Sequence, residues 1–88
     1  MNDIGYEKLY EIILDIVEPK LAQAGIDRNA IKPDTDIMDI LDSFAILDTI
    51  IEIEERAGVS VDLAQMDITN TMTVSGLAKE IVRINSHE

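Results

Sequence analysis

The chain has 88 residues, 18 of them acidic and 7 basic, for a formal net charge of −11. That length suits one domain spanning residues 1–88 rather than two. The charge argues strongly against nucleic acid and anionic membrane surfaces, both of which select for Lys and Arg.

The first periodic segment runs from about Asp3 to Ala24. Leu9, Ile12, Ile13, Ile16 and Val17 recur at the i, i+3, i+4 spacing of an amphipathic helix. Pro19 interrupts it, because proline has no backbone N–H and its ring crowds the carbonyl of Asp15. A kink is expected there, or a break followed by a short turn to Ala24. Gly25 is a suitable residue just past the end. Residues 26–42 read as a long loop, with Ile26, Ile31, Ile37, Ile40 and Leu41 as its anchors on the core. Loops of this length are often functional.

A second strong helix is expected from Ser43 to Ala57, stopped by Gly58. Val59 to Met66 reads as an extended piece with one short helical turn, and Asp67 to Thr73 as another turn. Thr73 is a natural N-cap for a last helix over Val74 to Ile84, whose apolar face is Val74, Leu77, Ala78, Ile81 and Val82. No segment alternates apolar and polar residues convincingly. The expected fold is therefore all-α: a small bundle of three main helices plus a short extra one. Hydrophobic residues make up 47% of the chain, enough for a core. Only Tyr6, Tyr10 and Phe44 are aromatic, so that core must be aliphatic. Met38, Met66 and Met72 read as gap-fillers within it.

The second helix carries two apolar stripes. At about 100° per residue, Ile46, Ile50, Ile53 and Ala57 fall within an arc of about 60° and face the core. Phe44, Leu47 and Ile51 fall on nearly the opposite side, with Asp48 and Glu55 beside them and Glu54 flanking Leu47. A surface helix needs only one stripe to fold. The second is either covered by the long loop or left open as a partner-binding face. Eight acidic residues and no Lys or Arg fall between Asp34 and Glu55. Partners with basic patches are expected, since opposite charge speeds encounter.

Ser43 sits where the long loop meets this helix. Taken alone, it reads as an N-cap, although Ile46 three residues on does not complete a capping box. The surrounding Ile40-Leu41-Asp42-Ser43-Phe44 resembles the attachment motif of acyl carrier proteins, most often Asp-Ser-Leu. In that family the Ser begins the second helix after a long loop, and the helix ends near a Glu-Glu pair, here Glu54-Glu55. The resemblance extends from the first helix to the last. The usual Gly two residues before the Asp is replaced by Ile40, and the Leu after the Ser by Phe44. Leu-Asp-Ser-Phe is closer to stand-alone D-alanyl carrier proteins than to many fatty-acid carriers.

The resemblance implies that Ser43 carries 4′-phosphopantetheine, taken from coenzyme A, through a phosphodiester. It implies that Asp42 helps to position the modifying enzyme or its magnesium ion. Phe44, Leu47, Asp48, Ile51, Glu54 and Glu55 would form the face recognised by a phosphopantetheinyl transferase, by an acyl- or aminoacyl-loading ligase and by acyl-transfer enzymes. The fold implied is an acyl-carrier-protein-like monomer that delivers fatty acyl, polyketide or aminoacyl groups and catalyses nothing itself. A thiol at the end of the arm would carry the cargo as a thioester, so the chain needs no Cys of its own, and it has none.

A different reading keeps the acidic helix as a docking face for proteins and makes Ser43 a cap only. An enzyme is not expected. His87, the only histidine, reads as a tail residue. No Ser–His–Asp arrangement or phosphate-binding glycine loop is present. Asp34, Asp36 and Asp39 fail as a calcium loop, because the sixth position is Asp39 where Gly is needed and the twelfth is Ala45 where Glu is needed. No metal site is expected. No apolar run approaches the roughly 20 residues that span a bilayer, and Met1-Asn2-Asp3 lacks the basic start of a signal peptide. The expected location is the cytoplasm.

Overall fold

A computed structural model of the chain describes residues 5–66 and 73–86. Four α-helices appear among them: α1 (Tyr6–Gln23), α2 (Ile37–Ile40), α3 (Ser43–Ala57) and α4 (Val74–Ser86). Two 3₁₀ turns, Arg28–Ala30 and Leu63–Gln65, punctuate the connections. No strand forms among the described residues, only an isolated antiparallel bridge between Asp36 and Thr73. The bundle is all-α, as the hydrophobic periodicity predicts.

The core is aliphatic and centred on α1. Leu9, Ile13, Val17 and Leu21 are fully buried, and Ile16 nearly so. They pack with Ile53 of α3 and Val74, Leu77, Ala78 and Ile81 of α4 in one cluster. Burying a side chain of this size contributes about 1.5–3 kcal/mol relative to leaving it exposed. α1 lies against both α3 and α4 and is the shared wall of the bundle.

Three expectations need correction. First, of the kink or break expected at Pro19, the break does not occur: α1 passes through Pro19 and ends at Gln23. A proline inside a helix costs roughly 3 kcal/mol. Here Leu21, two residues further on, is completely buried, and that burial opposes the local preference to stop. The helix closes in a Schellman motif. The Gly25 N–H donates to the Ala22 carbonyl at 3.0 Å and the Ile26 N–H to the Leu21 carbonyl at 2.9 Å. Gly25 takes φ +87°, which other residues adopt only with strain. At the other end Gly5 is extended, so the helix begins at Tyr6 and not at Asp3.

Second, the long connection is not structureless. It contains the 3₁₀ turn Arg28–Ala30 and the single-turn α2, neither of which was expected there, whereas the short helical turn expected within Val59–Met66 is the 3₁₀ turn Leu63–Gln65. The Asp36 side chain caps α2 by accepting from the Asp39 N–H at 3.1 Å. Ile37 is buried, and Ile26, Ile31, Ile40 and Leu41 pack against the cluster, so all five expected anchors do serve as anchors. Third, α4 continues past Ile84 to Ser86.

Thr73 caps α4 as expected, its hydroxyl accepting from the Gly76 N–H at 2.9 Å. The Ser75 N–H donates to the Pro33 carbonyl at 2.9 Å, and the Ser75 hydroxyl lies 2.9 Å from that of Tyr6. The start of α4 is thus tied to both the long connection and α1. After α3, the stretch through the Leu63–Gln65 turn is held by side-chain clamps. Asn85 exchanges two hydrogen bonds with the backbone of Ser60, and Arg83 donates to the Gln65 carbonyl at 2.8 Å while pairing with buried Glu80. Met38 and Met66 are half-buried, and Met66 packs against the core. Met72, His87 and all but the last residue of the turn expected over Asp67–Thr73 lie outside the described residues.

Replacing Ile53 by Ala should lower unfolding stability by about 2–5 kcal/mol, through lost transfer energy and a residual cavity. Gly25→Ala should cost about 1 kcal/mol from backbone strain alone, because a Cβ at this glycine meets nothing within 4 Å. Both are read from urea-denaturation midpoints. Equal losses would contradict this division between packing and backbone.

Candidate functional site

The segment from α2 into α3 sets the position of Ser43. Ile37 is fixed in the core, and the Leu41 N–H closes α2 on the Ile37 carbonyl at 2.8 Å. The chain then turns through extended Asp42 (φ −80°, ψ 177°) and enters α3. The Asp42 carboxylate accepts from the Ala45 N–H at 2.8 Å, and its carbonyl from the Ile46 N–H at 3.0 Å. Asp42 is therefore the N-cap and Ser43 the first residue of the helix. The reading of Ser43 as the cap is corrected. Both residues are good caps, and the carboxylate takes the position before the first helical turn.

Freed from capping, the Ser43 hydroxyl makes no hydrogen bond among the described residues and is exposed. It stands beside the first N–H groups of α3, which have no intrahelical acceptors. This end of the helix carries a partial positive charge, suited to an anionic group such as a phosphodiester. The residues present thus fit an attachment at Ser43 on three counts: an accessible nucleophilic oxygen, free backbone donors next to it, and no side chain holding that oxygen.

The inner stripe of α3 is as expected. Ile53 and Ile50 are buried, while Ile46 and Ala57 pack on the core. Thr49 was not part of the predicted stripe, yet it is 1% exposed. Its hydroxyl turns back to the Ala45 carbonyl at 2.7 Å, which satisfies it and lets it sit in the core. Phe44 is 83% exposed, Leu47 45% and Ile51 53%. The long connection does not cover them, so the outer stripe is open.

The charged residues divide. Asp48 and Glu55 are exposed beside the open stripe. Glu54 is different: its carboxylate accepts from the Val61 N–H at 2.9 Å and is half-buried against the connection after α3. The structure therefore brings Asp42, Ser43, Phe44, Leu47, Asp48, Ile51 and Glu55 to one accessible helix end and face, with Glu54 at its edge and engaged. Two further residues border the face without having been singled out in the sequence. Lys20 of α1 reaches Glu52 at 2.9 Å and lies 3.8 Å from Asp48. Their separation along the chain, 32 residues for the closer pair, hides this contact from any local pattern.

A concavity of about 380 Å³ lies along α1 and is lined by Tyr6, Tyr10 and Leu14 with acidic neighbours; Ser43 does not line it. The two rings stack with centroids 5.8 Å apart. Desolvation, and secondarily the neighbouring Tyr6, push the Tyr10 phenol above its ordinary value. At the rim, Arg28 pairs with Glu18 and Asp15, which holds its guanidinium more firmly protonated. Among the described residues no group of three or more His, Asp or Glu side chains could hold a metal ion, and no helix is long and apolar enough to cross a membrane.

Comparison with protein-family models, curated proteins and solved structures gives no match.

The division of labour at the start of α3 can be measured. Asp42→Ala should cost about 1 kcal/mol through the lost cap, whereas Ser43→Ala should stay within about 0.5 kcal/mol. Denaturant titration of the two variants decides between them; the reverse order would return the capping role to Ser43.

Proposed function

We propose that this chain is an acyl or aminoacyl carrier protein, modified on Ser43 with 4′-phosphopantetheine and recognised through α3. One observation carries the reading: Ser43 is the first residue of a rigid, core-anchored helix, and its hydroxyl is exposed and unbonded. A serine that served only to cap the helix would have its oxygen engaged with a backbone N–H. Beside it, Phe44, Leu47 and Ile51 offer partners an apolar surface, and Asp48 and Glu55 offer them charge.

In the modification, the Ser43 Oγ bonds to the phosphorus of coenzyme A that bears the pantetheine. The pyrophosphate P–O bond breaks, the nucleotide half leaves, and the hydroxyl proton passes to a base of the transferase. The N–H groups at the tip of α3 would be available to hold the resulting phosphodiester. Asp42 holds the helix start in shape through its side-chain bond to Ala45, and its remaining carboxylate oxygen is available to the transferase's magnesium ion. Once attached, the arm supplies the thiol on which acyl groups travel as thioesters. The protein's own share is delivery: it raises the local concentration of cargo at a partner's active site. The partners are a phosphopantetheinyl transferase, a loading ligase and acyl-transfer enzymes, each with a basic patch. The Leu41-Asp42-Ser43-Phe44 form favours an aminoacyl cargo such as D-alanine over a fatty acid.

Incubation with coenzyme A, magnesium and a broad-specificity phosphopantetheinyl transferase should add one phosphopantetheine to the intact mass. Ser43→Ala should abolish the addition. No addition under conditions that modify an established carrier would leave an unmodified interaction module. In the same assay Glu55→Lys should slow modification roughly ten-fold, as expected when a charge that guides association is reversed, with helix content by circular dichroism unchanged. An unaltered rate would remove Glu55 from the docking face.

A further inference from the structure

The carboxylates of α3 are not equivalent. At about 100° per residue, Leu47, Ile51, Phe44, Glu55 and Asp48 follow one another around the open side, and Glu54 and Glu52 lie at its two edges. Each edge carboxylate has an internal partner. Glu54 accepts from the Val61 N–H, and Glu52 receives the Lys20 ammonium at 2.9 Å. Lys20 comes from α1, and its side chain is only 22% exposed, so its aliphatic stem lies against the bundle while its charge reaches α3. The same ammonium lies 3.8 Å from Asp48, whose side chain is 67% exposed. No ion pair among the described residues involves Glu55.

We infer that Lys20 is a specificity-determining residue of the α3 face: it withdraws Glu52 from the charge shown to partners, partly screens Asp48, and leaves Glu55 as the carboxylate presented at full strength. The inference rests on the carrier reading for its partner but on the ion-pair geometry for its content. A cation on α1, one helix away from the recognition surface, thereby sets how strongly that surface attracts a basic partner. Because Lys20 acts through Asp48 and Glu52, it is a positioning residue. Its removal should change encounter with a partner and leave the reaction at Ser43 alone.

The test compares Lys20→Met with Lys79→Met in the full-length chain. Lys79 is exposed on α4, so the second variant makes the same change in net charge at a distance from α3. In the transferase assay Lys20→Met should lower KM about two- to five-fold with kcat unchanged, the range expected for releasing exposed ion pairs. Lys79→Met should leave both constants in place, and Lys20→Arg should restore the parent KM. In an Asp48→Asn/Glu52→Gln background, Lys20→Met should have no effect. Equal responses to Lys20→Met and Lys79→Met would overturn the inference, reducing it to net charge. A change in kcat would also overturn it.

A parallel titration with a tetralysine peptide at low salt, followed by backbone amide shifts along α3, reads the same effect without any modification. If the parent chain takes no phosphopantetheine but Lys20→Met still binds tetralysine more tightly than Lys79→Met, the carrier reading fails and the Lys20 assignment stands. If modification proceeds and the two variants bind tetralysine alike, the reverse holds.

Discussion

The burial of α1 between α3 and α4 is the constraint from which the rest of the molecule follows. An 88-residue chain buries a smaller share of its surface than a larger domain. With only three aromatic residues, it must draw its stability from closely packed Ile, Leu and Val. α1 spends its whole apolar stripe on this and meets both other long helices. α3 then needs only the arc of Ile46, Ile50, Ile53 and Ala57 to be held in place. Its opposite side is under no structural demand, yet Phe44, Leu47 and Ile51 stand there in water. Hydrophobic side chains that folding does not require, edged with negative charge, are what a recognition surface consists of.

The same constraint explains where local rules give way. Pro19 should end a helix, yet the helix continues because Leu21 has a place in the core. The connection from α1 to α3 looked like loop because its helical content is one 3₁₀ turn and one four-residue helix, both too short for hydrophobic periodicity to register. Its anchors could still be read, since isolated isoleucines in a polar stretch have few places to go other than the core.

The limits of α3 were legible to the residue: Asp42 and Ser43, both good caps, at its start, Gly58 just past its end, and two apolar stripes between. The open stripe was legible from helical geometry alone, though whether the connection would cover it was not. Which of two adjacent good caps closes the helix could not be decided from residue type, and it matters here, because the choice of Asp42 releases the Ser43 hydroxyl. The partners of the acidic residues were also hidden. Glu54 finds a backbone N–H beyond the end of its own helix, and Glu52 finds a lysine on another helix. Such pairings depend on how the elements come together, and composition records only that charges of both signs exist.

Ser43 is mounted on a regular helix and not on a flexible loop. Every residue of the open stripe therefore stands at a set height above it: with a rise of about 1.5 Å per residue, Leu47 is roughly 6 Å and Ile51 roughly 12 Å further along the axis. A visitor that grips those two side chains has already located the serine oxygen to within the stiffness of one helix. Under the proposed carrier function, α3 would act as a measuring rod with its zero mark at the hydroxyl, on which differently shaped visitors would use different graduations and still address the same atom.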